Sequence, residues 1–371
     1  MRRIVPPAMR FAIFHDYFDK IGGGEKAMLT LARALDADLF TTHLRPEVLA
    51  RLGGERVRTH DLGPLVLQAP LKQIHASWRF ARAVAPDFDA YVFSGNWAHY
   101  AGGRHEPGVL YCYTPVRAFY DRRAALLASL PPPQRPLYRA WTRVHSRFDR
   151  ASVDDIDVIL AISENVRRRI RRYYGRDARI VYPPVATSRF HFRELGDFWL
   201  SVNRLYPEKR VDLQLEVFRR LPGERLVVVG GWAPGDHSAR YVAGLDPPPN
   251  VTLLGEITED ELVDLYARCR GVLATAADED FGLTPIEAMA SGKAVLATRE
   301  GGYPETVRDG RTGWLLPPDP EAFVQKIQSL DDQALLAVRA EAEAQSRRFG
   351  EEPFATAMRA ILREVADGAS F

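Results

Sequence analysis

Apolar runs of strand length recur along the whole chain, separated by polar stretches punctuated with glycine and proline. Residues 90–93 and 109–111, with 9–14 before them, form such runs in the first half. Residues 198–203, 226–229, 251–255, 271–275 and 294–298 form them in the second. Short, nearly charge-free runs bounded by turn residues are the pattern of strands buried on both faces of a parallel sheet. Between them, residues 25–35, 211–221 and 258–267 predict helices, and Thr258 with Glu261 gives the last of these a capping box. Strand alternating with helix predicts an α/β chain. The rhythm breaks at residues 180–190, where Pro183 and Pro184 stand side by side, and this segment reads as an interdomain linker. The expectation is two domains, 1–186 and 187–347, then an amphipathic closing segment over 348–371. A chain of 371 residues also exceeds what one core usually supports.

The most informative stretch is Asp278-Glu279-Asp280-Phe281-Gly282-Leu283-Thr284-Pro285-Ile286-Glu287, which follows the run at 271–275. Thr284 reads as an N-cap, Pro285 as the first helical residue and Glu287 as the third, so a capping box is expected there. Gly292 would end the short helix. This sets a loop and a helix N-terminus at the carboxyl edge of a parallel sheet, where ligands bind and phosphates are favoured. Two other strand exits carry related chemistry. His15 and Asp16 leave the first strand and run into Gly22, Gly23 and Gly24, a loop whose backbone can approach a ligand closely. Arg204 and Lys209 leave the strand at 198–203 and are placed to neutralise a diphosphate. The glycines of Gly230-Gly231 close another strand. After 90–93, Asn96, Trp97 and His99 offer groups that suit sugars, and Tyr113 and Arg117 repeat the theme after 109–111. Core or loop anchoring is the competing reading for each of these aromatics.

Composition narrows the classes. The formal net charge of +2 supplies no global basic field for nucleic acid. Two cysteines far apart, Cys112 and Cys269, give no disulfide framework and fit a reducing, cytoplasmic compartment. No apolar run approaches the roughly 18 residues of a membrane span, and 11–14 is too short for a signal-peptide core. Residues 1–8 read as an extension before the first strand. Two segments are basic: Arg135, Arg139, Arg143, Arg147 and Arg150 alternate with apolar residues at helical spacing, and Ser163 caps a helix bearing Arg167, Arg168, Arg169, Arg171 and Arg172. Such helices can lie on an anionic membrane. Only six of the 50 basic residues are lysines, so arginine is this chain's default cation and an ordinary solvated face is preferred.

The sentence of two glutamates seven residues apart around Phe-Gly-Leu-Thr-Pro resembles the signature of the family 4 retaining glycosyltransferases. The Gly-Gly-x-Glu loop, the Arg204 and Lys209 pair and the linker resemble that family in the same order. The segment from Tyr111 to Arg117 is similar to one in mannosyltransferases of surface-polysaccharide assembly, with Tyr113 at their histidine position. Ser94 stands where many members have a second histidine, and His99 is expected to supply the imidazole.

This resemblance implies the GT-B fold: two Rossmann-like domains with parallel sheets facing across a cleft, and a last helix crossing back to the first domain. It implies transfer of a hexose, mannose as the guess, from a nucleoside-diphosphate sugar such as GDP-mannose to a glycan or lipid-linked acceptor, with no cofactor and no metal. Glu279, Arg204, Lys209 and His99 would act on the reacting groups. Gly23, Gly24, Gly230, Phe281, Gly282, Leu283, Thr284 and Glu287 would complete the donor site. His15, Asp16, Asn96, Trp97, Tyr113 and Arg117 would meet the acceptor. Peripheral contact with the inner face of the plasma membrane is a further expectation. A sugar-nucleotide 2-epimerase and a silent sugar-nucleotide binding protein remain as alternatives; a dehydrogenase would need a dinucleotide fingerprint that is missing.

Overall fold

The computed structural model describes residues 9–66, 70–232 and 239–368. The extension expected over residues 1–8 lies outside them. The chain divides into two compact units, Met1–Pro184 with Glu352–Phe371, and Val185–Glu351.

The first unit is built on β1 (Phe11–Tyr17), β2 (Asp38–Thr42), β3 (Thr59–Asp61), β4 (Ala90–Ser94), β5 (Gly108–Cys112), β6 (Val158–Ala161) and β7 (Arg179–Ile180). They form one parallel sheet in the order β3-β2-β1-β4-β5-β6-β7. The second unit repeats the scheme with β8 (Phe198–Val202), β9 (Arg225–Val229), β10 (Val251–Gly255), β11 (Gly271–Ala274), β12 (Val295–Thr298) and β13 (Gly313–Leu316). Their order is β10-β9-β8-β11-β12-β13, again all parallel. In both sheets the order reverses beside the unit's first strand, and the crevice outside the carboxyl ends of the two strands at that point is where such sheets bind ligands.

Both cores follow from the apolar runs. In the first unit Phe14 stacks on Phe40 at 4.9 Å and meets Phe93 at 5.7 Å. In the second, Trp199, Phe218, Leu273, Leu296 and Phe323 close one cluster, each side chain worth about 1.5–3 kcal/mol on burial. β1 runs three residues past its expected end because His15 pairs in register with Ser94 and Thr41, and Tyr17 with Thr42, which carries polar side chains into the sheet's edge. The helix Glu351–Ala366 belongs to the first unit. Arg359 donates to the Ala34 carbonyl at 2.7 Å, Glu364 pairs with Arg179 at 2.8 Å, and Phe354 packs edge-on against Tyr111.

The helices obey their local signals. Ser163 caps Glu164–Tyr174 by accepting the Val166 N–H, and Thr258 with Glu261 completes the expected capping box. Arg167 and Arg171 both chelate Asp177 in a solvated ion-pair network, while Arg169 is buried and donates to Thr114. No helix among the described residues is long and apolar enough to cross a membrane.

Candidate functional site

In the second unit the loops leaving β8 and β11 are sewn together at the switch point. The Ala277 N–H donates to the Glu208 carbonyl at 2.7 Å, and Thr275 Oγ1 donates to the Lys209 carbonyl at 2.9 Å. Gln214 Nε2, buried below, donates to the same hydroxyl. This stitching brings Lys209 Nζ within 2.5 Å of Glu279 Oε2, both side chains partly exposed. Arg210 pairs with Glu300 at 2.6 Å just beside them. Arg204 is exposed and makes no side-chain hydrogen bond or ion pair among the described residues. Its guanidinium is therefore available to a diphosphate at low cost.

Backbone packing fixes the acidic loop. Gly302 donates its N–H to the Glu279 carbonyl at 2.9 Å, and a Cβ on Gly301 (φ +60°) would sit 2.4 Å from the Glu279 backbone. Only glycine lets the 301–302 turn press so closely. Gly230 plays the same part between β8 and β9: at φ +130° its Cβ would fall 1.8 Å from the Asn203 carbonyl oxygen.

The helix after the acidic loop corrects the sequence expectation. It spans Leu283–Ala290, its cap position is Gly282 at φ 91°, and no side chain caps it. Thr284 lies inside the helix and donates to the Val202 carbonyl at 3.3 Å, which ties the helix to the end of β8. Glu287 accepts from the Tyr266 hydroxyl at 2.8 Å and is not a capping-box partner. Tyr303 takes the space a side chain at 282 would need, 2.6 Å from its Cβ, so the chain enters the helix through glycine and the Thr-x-x-Glu pattern goes unused. An uncapped first turn keeps the helix end attractive to an anion. Phe281 is buried against Phe349, ring centroids 5.6 Å apart, and serves packing.

In the first unit the switch point lies between β1 and β4, and here the site is buried. Asp16, 5% exposed, accepts from the backbone N–H groups of Asn96, Trp97 and Ala98 at 2.6, 2.8 and 2.9 Å. Its carboxylate shapes the loop after β4 and does not face outward; burial pushes its pKa up to about 6 against the pull of those three donors. His15 Nδ1 lies 3.3 Å from Ser94 Oγ, and burial lowers the imidazole to about 4, so it is neutral at pH 7. The Tyr113 hydroxyl donates to the Gly24 carbonyl at 3.1 Å, and a Cβ on Gly24 would stand 3.3 Å from the Tyr113 ring and 3.6 Å from His15. His15, Ser94, Tyr113 and Gly24 thus form one cluster. Gly23 opens the helix Gly23–Leu35 beside it.

Three residues expected near the acceptor or the chemistry go elsewhere. His99 is 2% exposed and sits 3.3 Å from the fully buried Asp149, poorly aligned for a hydrogen bond, so it belongs to the interior and supplies no imidazole at the strand exit. Trp97 is buried against Phe119 and His145, a core ring with no face left for a sugar. Arg117 pairs with Asp121 one turn on at 2.6 Å. The imidazole near the strand exits is His15. Its partner Ser94, marked in the sequence only by standing at the family's histidine position, is the residue in register with it on β4. Tyr266 and Tyr303 carried no signal, since both come from elements remote in sequence. Among the described residues no group of three or more His, Cys, Asp or Glu side chains is placed to hold a metal ion.

Residues 189–347 match the family model described as "Glycosyl transferases group 1". Among curated proteins, alpha-1,3/1,6-mannosyltransferase ALG2 of Dictyostelium discoideum is 23% identical over 306 residues, 69% of this chain and 70% of that protein. The GDP-mannose-dependent alpha-(1-6)-phosphatidylinositol monomannoside mannosyltransferase of Mycolicibacterium smegmatis is 33% identical over 186 residues, 43% of this chain. That match spans 49% of the mycobacterial protein's length. Among solved structures, the Thermosynechococcus elongatus sucrose-phosphate synthase superposes with a TM-score of 0.78 over 97% of this chain and 100% of that one, at 18% identity. HepE of Anabaena, solved with UDP and glucose, gives 0.76 over 95% and 99%, also at 18%. Residues 189–347 thus match a glycosyl transferases group 1 domain, and the chain shares the GT-B fold of these solved structures.

Proposed function

We propose that the protein transfers a hexose, with mannose the first candidate, from a nucleoside-diphosphate sugar to a hydroxyl of a glycan or lipid-linked acceptor, retaining the anomeric configuration. The observation that carries this reading is the stitched crevice of the second unit. It sets Lys209 against Glu279, with exposed Arg204 and an uncapped helix start in the same unit. These groups suit a donor. A diphosphate would compete with Glu279 for Lys209, draw Arg204 and meet the amides at the start of the Leu283–Ala290 helix. Glu279, released to the sugar, would accept from its hydroxyls. Glu287, its carboxylate oriented by Tyr266, would accept from the ribose. Charge building on the departing phosphate in an oxocarbenium-like transition state would be met by fixed positive groups already in place. The leaving phosphate would take the acceptor's proton. In the first unit His15, 4% exposed and hydrogen-bonded to Ser94, is sealed in its neutral form and presents no face to an acceptor.

Support for mannose comes from the two mannosyltransferase relatives and support for a GDP donor from the mycobacterial one alone, while HepE was solved with UDP. A melting-temperature screen over GDP, UDP, ADP and their sugars tests the donor, since saturation at a hundredfold Kd stabilises by about 2.7 kcal/mol. GDP-mannose should give the largest rise. Diphosphate release should then require an acceptor; release or isomerisation of the sugar without one would favour a 2-epimerase. No rise with any nucleotide would overturn the proposal.

A further inference from the structure

The first unit carries an apolar face that the transfer reaction does not use. The helices Leu71–Ala81 and Arg135–Asp154 flank a groove of about 610 Å³ whose lining is almost wholly apolar. Leu71, Ile74 and Trp78 recur along the outer side of the first helix, and Leu137, Val144 and Phe148 along that of the second. All six are between 43% and 68% exposed. Helices of a globular domain normally turn such stripes inward. A contiguous stripe turned outward marks a surface that something else covers.

Charge identifies the cover. Residues 62–86 and 122–148 together hold nine lysines and arginines and no aspartate or glutamate, in a chain whose net charge is only +2. On the longer helix Arg139, Arg143 and Arg147 are exposed and run beside the apolar stripe. Arg139 and Arg143, with Arg123, also line an adjoining recess that shares Ala140 with the groove. Arg143 and Arg147 form no ion pair among the described residues, whereas Arg167 and Arg171 of Glu164–Tyr174 both pair with Asp177. A protein partner would be expected to meet these arginines with matched carboxylates on a limited patch; Asp121, which lines the adjoining recess, is already paired with Arg117. A bilayer of anionic lipids offers both layers at once, phosphates for the arginines and acyl chains for the stripe.

We propose that this face docks the protein on an anionic lipid bilayer, with the stripe in the acyl boundary and the arginines at the phosphates. The test is co-sedimentation with vesicles of phosphatidylcholine alone or with a third phosphatidylglycerol. Wild type should bind the anionic vesicles at least ~10-fold more tightly, with a blue shift of tryptophan fluorescence from Trp78. The triple variant Ile74→Ser, Trp78→Ser, Phe148→Ser should melt like wild type, because these side chains are exposed, yet lose at least ~100-fold in binding. Replacing Arg139, Arg143 and Arg147 with glutamine should abolish the preference for anionic lipid. Equal binding to both vesicles, or undiminished binding by the serine variant, would overturn the proposal. So would a wild-type dimer that the serine variant converts to monomer while vesicles bind neither, since a second copy would then be the occupant. The readout is binding alone, so its failure leaves the donor reading intact, and a failed donor screen leaves this one intact.

Discussion

The two units share one strand order and one switch point, yet they use it in opposite ways. In the second, the crevice is held by backbone: carbonyls, amides and glycines pack against one another, and the charged side chains Lys209, Arg204 and Glu279 are left at the surface. In the first, side chains hold the crevice. Asp16 is consumed by three amides, and His15 and Tyr113 close on Ser94 and Gly24. Topology chooses the place; whether the place is charged or sealed depends on what holds the loops. Mutations in the second unit should therefore alter catalysis, and equivalent ones in the first should alter stability.

The sharpest break is Arg204→Ala. An exposed guanidinium with no partner among the described residues can be removed at little cost to the fold, but loss of one preorganised charge stabiliser should slow transfer at least ~100-fold. Unchanged turnover at saturating donor, with unchanged melting, would erase the contrast between the units.

Next comes pH. His15 has its folded pKa lowered to about 4 from 6.5, so its contribution is intact above pH 6.5 and is lost as pH falls toward 4, by ~3 kcal/mol in all. Asp16, raised to about 6, runs the other way: its stability is fully present below the unfolded value of 3.8 and declines as pH rises through 6. The two largely cancel in the wild type. In His15→Gln only the Asp16 slope remains, so urea titrations should show wild type and variant converging, then crossing, as pH drops from 7 to 4. Parallel curves would mean the imidazole is not sealed.

A smaller effect is expected at Glu287→Gln. The Tyr266 bond survives with a neutral acceptor, so melting should barely move, whereas donor affinity should fall roughly tenfold as a charged acceptor becomes neutral. Calorimetric titration of the nucleoside diphosphate decides it; an equal Kd would make Glu287 a structural partner of Tyr266 and nothing more. The smallest expected effect is none: with side chains and a helix end facing the diphosphate, activity should persist in EDTA. A strict, restorable need for magnesium or manganese would show that Asp278, Glu279 and Asp280 had been misread.

What could be read from the sequence was what is local. Strand runs, the Pro183-Pro184 break and the capping box at Thr258 all depend on neighbours a few residues away. The errors came where a distant element decided. Thr284 and Glu287 spell a capping box, but Tyr303 crowds the entry and Gly282 takes the cap position. His99 and Trp97 look like sugar ligands until Asp149 and Phe119, from residues tens of positions on, enclose them. Helical spacing likewise announced an amphipathic Arg135–Asp154, but which stripe faces solvent is settled only by what packs on the other side.

The helix Glu351–Ala366 completes the first unit although the ribosome makes it after the whole of the second. At roughly 5–20 residues per second, some 10–40 s of synthesis separate Pro184 from that helix. Throughout that interval the nascent first half lacks the partner for Ala34, Arg179 and Tyr111. The half made second can close first. A complete sheet that still lacks this helix, with Tyr111 uncovered, is the kind of surface chaperones bind, so synthesis speed across residues 185–351 should affect the yield of folded protein.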